Sequence, residues 1–412
     1  MTGTSTELVA QKSFETEASA AVLEVRSLFA QAVEARGVAT GSVTEVASGF
    51  GIHRKLAWQV AKVAYSADPL VAARQIPTGR SLGVWLDAAR AVGVAEALVE
   101  QMRAAVERFE TLAGTHAADR AELEMLLESC GGSVDPEAAA RWREQSFTGN
   151  SFTWGARCKV LMATMVLHPS EDRQGWFHLA QVRGLFSFRQ LRPGVRWIVN
   201  QSVVAHDDAK AVGSVVRRPL DAAAAERHGG VPVLPRFCSS PMPSLARRRS
   251  DEGVVQDEFL SGPVGLAGER TLVTGEVIRN LGPAHATPQN TVAHFGSAIR
   301  TPAEKLQMDM FVHRSLFAGV ERELRVFSDL GSNIAFGEDD ALLAPERIVH
   351  LGRGVGLAQT PDIPGYTDLA RAVFEALGAD ASEYDLYRVC MAYPPMPSSV
   401  MIRHPFPPEP GG

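Results

Sequence analysis

The sequence predicts an α+β protein, with an all-α N-terminal domain over residues 1–146 and a larger strand-rich α+β domain over residues 147–412. Three observations carry that reading. Apolar residues recur at helical spacing through the first third of the chain. After about Phe147, β-branched and aromatic runs and period-two alternation take over. The length of 412 residues exceeds the roughly 250–300 at which a single core usually divides.

In the helical part, residues 14–36 set Val22, Val25, Leu28, Phe29, Ala32 and Val33 on one helical face, closed by Gly37. Short helices are expected over residues 44–49 and 53–65. Asp68-Pro69 joins a cap to a first-turn proline and opens a helix that reaches Arg74. Residues 81–92 form the next helix and Gly93 stops it. Residues 95–112 are amphipathic, with Leu98, Met102, Val106, Phe109 and Leu112 along one stripe. Helices over 118–129 and 135–145 complete the block.

Beyond it, residues 160–167 are apolar except for Thr164 and suit a buried strand. Residues 176–188 and 195–204, separated by the turn signal Arg192-Pro193-Gly194, read as a hairpin. Asp221 is a candidate cap for a turn or two of helix over 221–226. Residues 232–262 mix Pro, Ser and Gly with the basic run Arg247-Arg248-Arg249, which reads as a solvated stretch of a long loop or interdomain segment. Strands are expected over 271–279, 323–328 and 386–393, and a helix over 366–377 closed by Gly378. The alternation across 306–312 predicts a half-buried strand. The Pro-rich tail, 394–412, reads as extended or frayed. There is no internal repeat of fixed period.

Composition narrows the class. Apolar residues make up 45% and charged residues 21% of the chain, which fits a globular protein with a sizeable core. The net charge of −6 excludes no partner, because an acidic whole can carry a local basic face. Cys130, Cys158, Cys238 and Cys390 stand far apart, as expected in a reducing compartment. Met1 to Glu24 lack the apolar core of a signal peptide, and the run 160–167 is under half a membrane span. A cytoplasmic protein with no membrane association is the expectation.

The most informative segment is 43–62, VTEVASGFGIHRKLAWQVAK. Two short helices that cross steeply need a small residue at their contact, which Ala47 supplies. The turn between them needs a left-handed backbone, which Gly51 adopts at low cost. Val46, Phe50, Ile52, Ala57 and Val60 then point inward. This pattern resembles the helix-turn-helix superfamily of bacterial DNA-binding proteins. The resemblance implies that the helix from His53 lies in the major groove, with His53, Arg54, Lys55, Trp58, Gln59 and Lys62 facing DNA. Arg and Gln would read base edges, and Lys55 and Lys62 would contact phosphates. Between residues 37 and 80, Arg54, Lys55, Lys62, Arg74 and Arg80 stand against only Glu45 and Asp68. The stripe on residues 95–112 would serve a homodimer reading paired half-sites, or simple core packing.

Other motifs are weaker. Gly79-Arg80-Ser81-Leu82-Gly83 has the letters of a nucleophile elbow, but no strand precedes it, so Ser81 is expected to cap a helix. Gly352-Arg353-Gly354-Val355-Gly356 lacks dinucleotide-binding spacing and reads as a loop. His285, His294 and His313, with Glu304 and Asp309, could meet across a sheet, yet none has HxH or HxxxH spacing. No catalytic residue, metal site or cofactor is predicted. The expectation is a transcriptional regulator whose second domain senses an unidentified effector or assembles. An enzyme with a C-terminal site, and a self-assembling scaffold, are the alternatives.

Overall fold

The computed structural model describes residues 4–38, 42–130, 135–203, 216–250, 254–329 and 337–409. The chain forms two compact units, Met1–Asp135 and Pro136–Gly412. The order is the predicted one, a helical region followed by a strand-rich α+β region. No helix among the described residues is long and apolar enough to cross a membrane.

The first unit contains α1 (Thr4–Ala35), α2 (Val43–Phe50), α3 (Arg54–Tyr65), α4 (Pro69–Ala73), α5 (Gly79–Ala91), α6 (Glu96–His116) and α7 (Arg120–Cys130). One core joins them, with Val22, Val25 and Phe29 of α1 in it. Trp85 of α5 is fully buried, and its ring lies 4.8 Å from Phe50 and 5.7 Å from Phe29. Asp68 caps α4 by accepting the Leu70 N–H at 2.8 Å. The α6 stripe belongs to this core, since Met102, Val106 and Phe109 are buried in it. It is therefore not an open dimer seam. Thr78, not Ser81, is the residue before α5; Ser81 lies inside the first turn because the helix already starts at Gly79.

The second unit opens with α8 (Pro136–Trp154), which runs past the expected end at 145. Its strands are β1 (Ala156–Pro169), β2 (Trp176–Gln190), β3 (Trp197–Val203), β4 (Val216–Pro219), β5 (Leu245–Arg249), β6 (Val254–Phe259), β7 (Arg270–Pro283), β8 (Val292–Ile299), β9 (Ala303–His313), β10 (Glu323–Ser328), β11 (Ala341–Leu342), β12 (Val349–Arg353), β13 (Tyr384–Ala392) and β14 (Ser398–Pro405). Two further helices are α9 (Ala222–Arg227), capped by Asp221, and α10 (Tyr366–Leu377). A seven-stranded sheet has the order β12-β13-β9-β1-β2-β7-β4, a four-stranded sheet β11-β10-β14-β8, and a three-stranded sheet β3-β6-β5. Within the large sheet β1 and β9 run parallel.

Side-chain alternation divides the large sheet between two cores. Val160, Met162 and Val166 of β1 pack with Leu369, Val373 and Phe374 of α10. Leu161, Met165 and Leu167 face the other way, into a core shared with Phe295, Val400 and Ile402 of the four-stranded sheet. Four expectations change accordingly. β2 pairs with β1, not β3, because the residue 170–175 turn returns the chain directly; β3 pairs instead with β6. β9 is buried on both faces from Leu306 to Val312, where Asp309 and Phe311 meet Tyr366 and Phe374 of α10. The stretch 232–262 contains the β5–β6 hairpin, in which Arg247 pairs with Asp257 at 2.7 Å and Arg248 with Glu258; residues 251–253 lie outside the described residues. The tail supplies β14, an interior strand between β10 and β8.

Beneath α10 lies a buried ion pair. Asp309 of β9 is fully buried and accepts two hydrogen bonds from Arg388 of β13, at 2.8 and 2.7 Å. Arg388 also donates to the carbonyls of Ala358 and Gln359. The Tyr366 hydroxyl hydrogen-bonds Thr164 at 2.7 Å and reaches the same carboxylate. Burial pushes the Tyr366 hydroxyl well up, so it stays a donor. Removing one member leaves a buried charge unpaired, which costs about 3–5 kcal/mol. Arg388→Met is expected to lower stability by that amount in urea unfolding, and Asp309→Leu/Arg388→Met to recover most of it.

His404 of β14 gives a pH dependence. It is 1% exposed among Phe295, Phe317 and Phe406, and its Nδ1 bonds the Pro405 carbonyl at 2.9 Å. Burial, with the charges of Arg322 and His294, lowers its pKa from 6.5 to about 4. The unfolded chain therefore binds the proton more tightly. The resulting stability is complete above about pH 6.5 and is lost as pH falls toward about 4. The loss is on the order of 3 kcal/mol. Thermal unfolding across that window is expected to show the decline in the natural protein and a flatter profile in His404→Phe.

Candidate functional site

The segment singled out by the sequence forms α2, a three-residue turn and α3. Ser42 starts α2, its hydroxyl accepting the Glu45 N–H at 3.3 Å. The helix ends at Gly51, which is left-handed at φ 65° and ψ 29°. A Cβ there would meet nothing within 4 Å, so backbone conformation rather than space favours glycine. The Ile52 N–H closes the turn on the Ala47 carbonyl at 3.1 Å. His53 is extended, and its Nδ1 accepts the Lys55 N–H at 3.2 Å to cap α3. In the neutral ring the remaining proton is then on Nε2, which is left for an outside partner.

Burial sorts α3 into two faces. Leu56, Ala57, Val60, Ala61, Val63 and Ala64 are buried. His53, Arg54, Lys55 and Lys62 are exposed, Gln59 is half-buried, and Trp58 is 41% exposed. The six candidate residues thus share the solvent side of one helix and its cap. No ion pair engages Arg54, Lys55 or Lys62 among the described residues, and α3 contains no acidic residue. Helix N-termini carry partial positive charge and favour carboxylates, so Arg54 and Lys55 sit where they are electrostatically unfavourable in the absence of an anion.

The three histidines singled out by the sequence, His285, His294 and His313, do not converge on one another. His285 faces Glu409 at 3.7 Å, His294 on β8 lies 6.0 Å from the Phe327 ring, and His313 at the end of β9 pairs with Glu383 at 3.1 Å. Glu304 is held by Arg157 and Asp309 by Arg388. No three metal-binding side chains come together among the described residues. A different histidine pair does meet, His168 and His178, directly opposed on β1 and β2. His168 bonds Glu171 at 2.9 Å and the Tyr384 hydroxyl, and His178 accepts the Asn280 N–H at 2.8 Å. Burial, then Arg279, lowers the His178 pKa. Each member is engaged by another, and the cluster ties the ends of four strand segments together.

Sequence reasoning missed a cavity of about 760 Å³ in the second unit. Its floor is the large sheet, through Arg183 and Leu185 of β2 and Leu272 and Thr274 of β7. β3 forms a wall with Trp197 and Asn200, and Ser297 and Thr301 lie on the β8 side. The available signal was Arg183, a cation inside a strand otherwise rich in apolar residues. Neither a protein-family model, a curated protein nor a solved structure matches this chain.

Proposed function

We propose that this chain is a cytoplasmic DNA-binding transcriptional regulator of bacterial type, docking α3 in the major groove and performing no chemistry there. The carrying observation is the solvent face of α3, where Arg54, Lys55 and Lys62 have no ion-pair partner among the described residues. Its 12 residues span about 18 Å at 1.5 Å per residue, enough to lie along a groove. Arg54 and Gln59 have the donors to read guanine and adenine edges, while Lys55 and Lys62 suit phosphates. The Nε2 of His53 and the edge of Trp58 complete the face. A homodimer reading two half-sites would need a surface other than the α6 stripe, which is buried in its own core.

Each phosphate neutralised contributes a salt slope of about −0.9 on logarithmic axes. The two phosphate contacts of Lys55 and Lys62 then predict that affinity for a random-sequence duplex falls roughly 12-fold between 50 and 200 mM salt. Arg54→Ala/Lys55→Ala is expected to weaken binding at least tenfold at low salt and, through the lost Lys55 phosphate contact, to make that slope shallower by about 0.9. Filter binding at the two salt concentrations measures both. Undiminished, salt-independent binding by the double variant would sink this docking face.

A further inference from the structure

The cavity in the second unit carries an inference that holds whether or not α3 docks on DNA. Arg183 stands in β2, an interior strand of the large sheet, on the face that meets the smaller sheets. Its neighbours across the strands are the short side chains of Ala163 and Thr274, which leave room above the guanidinium. Among the described residues its one hydrogen bond is to Gln181, at 3.3 Å, and no carboxylate pairs with it. Most of its five donors are therefore open. Burial lowers its pKa, opposed by Glu276, whose own carboxylate is paired with Arg217 at 2.5 Å.

The other cations of the cavity are differently placed. Arg196 is paired with Glu258, and Arg300 lies 3.5 Å from Asp329; both side chains are more than half exposed. Arg183 is thus the cation of this cavity that makes no ion pair among the described residues. Arg183 is half-buried, so its guanidinium reaches the cavity space, and its planar fork matches a carboxylate in two parallel hydrogen bonds. Thr274 accepts from Asn200 at 3.2 Å, so its own hydroxyl proton is available beside Arg183. Leu185, Leu272 and Trp197 offer apolar surface around this head. The volume falls in the range of pockets that enclose small organic ligands, roughly 300–1,000 Å³.

We propose that this cavity binds an amphipathic organic carboxylate, its head forked by Arg183 and its apolar body against Leu185, Leu272 and Trp197. One unpaired guanidinium balances a single negative charge, which favours a monocarboxylate over a phosphate dianion. If the chain is the regulator proposed above, a ligand of this class would be its effector; the binding itself does not rest on that reading.

Isothermal titration of the full chain with decanoate, 1-decanol and inorganic phosphate tests the assignment. Decanoate is expected to bind most tightly. Arg183→Met should weaken decanoate at least tenfold and leave decanol unchanged. Arg183→Lys keeps the charge without the fork and should also lose about tenfold. It decides the matter if Arg183→Met does not fold. Decanoate binding no tighter than decanol or phosphate would overturn the proposal, as would undetectable decanoate binding. Natural affinity for decanoate in a folded Arg183 variant would do the same.

Discussion

The large sheet of the second unit is covered on both faces, and that constraint governs every polar side chain placed in its interior strands. Such a group must be paired, or it must open onto a cavity. Asp309 is paired, with Arg388 and Tyr366 enclosing its carboxylate under α10. Thr164 is satisfied by the same tyrosine. Arg183 takes the other solution, on the opposite face, where the sheets part around it. Gln307, fully buried with neither amide atom hydrogen-bonded among the described residues, is the exception to this rule.

The helical unit obeys a different rule. Its helices bury one stripe each in a single core, and what remains outside is free to serve recognition. α3 shows this most clearly. Its inward positions are small or aliphatic, which allows close approach to α1 and α2, and its outward positions collect cations at the helix start. That arrangement lowers the stability of an isolated helix slightly and raises its affinity for anions. Gly51 and His53 make it possible, one by bending the chain and the other by capping the helix that follows.

Local signals were legible in the sequence. The helical periodicity of α1, α3 and α10, the caps Asp68 and Asp221, and the left-handed Gly51 all follow from neighbours within a turn or two. Strand partners were not. The Arg192-Pro193-Gly194 turn suggested that β2 and β3 pair, yet that turn only redirects the chain into another sheet. The Pro-rich flanks of β14 hid an interior strand, because its apolar positions gain meaning only from β8 and β10 beside it. Along β9, Gln307 and Asp309 mimic a solvent-facing alternation, and only the presence of α10 shows them to be internal. The six residues of the α3 face could be named in advance because a helix fixes its own outward side. Arg183 could not, since a cavity is a property of three sheets together.

The most direct measurement of the account is hydroxyl-radical footprinting of the full chain with and without a random-sequence DNA duplex. Trp58 is reactive, 41% exposed and central to the proposed face. Its oxidation is predicted to slow severalfold once duplex is bound. An unchanged Trp58 rate in the presence of bound duplex, or no binding at low salt, would contradict docking through α3.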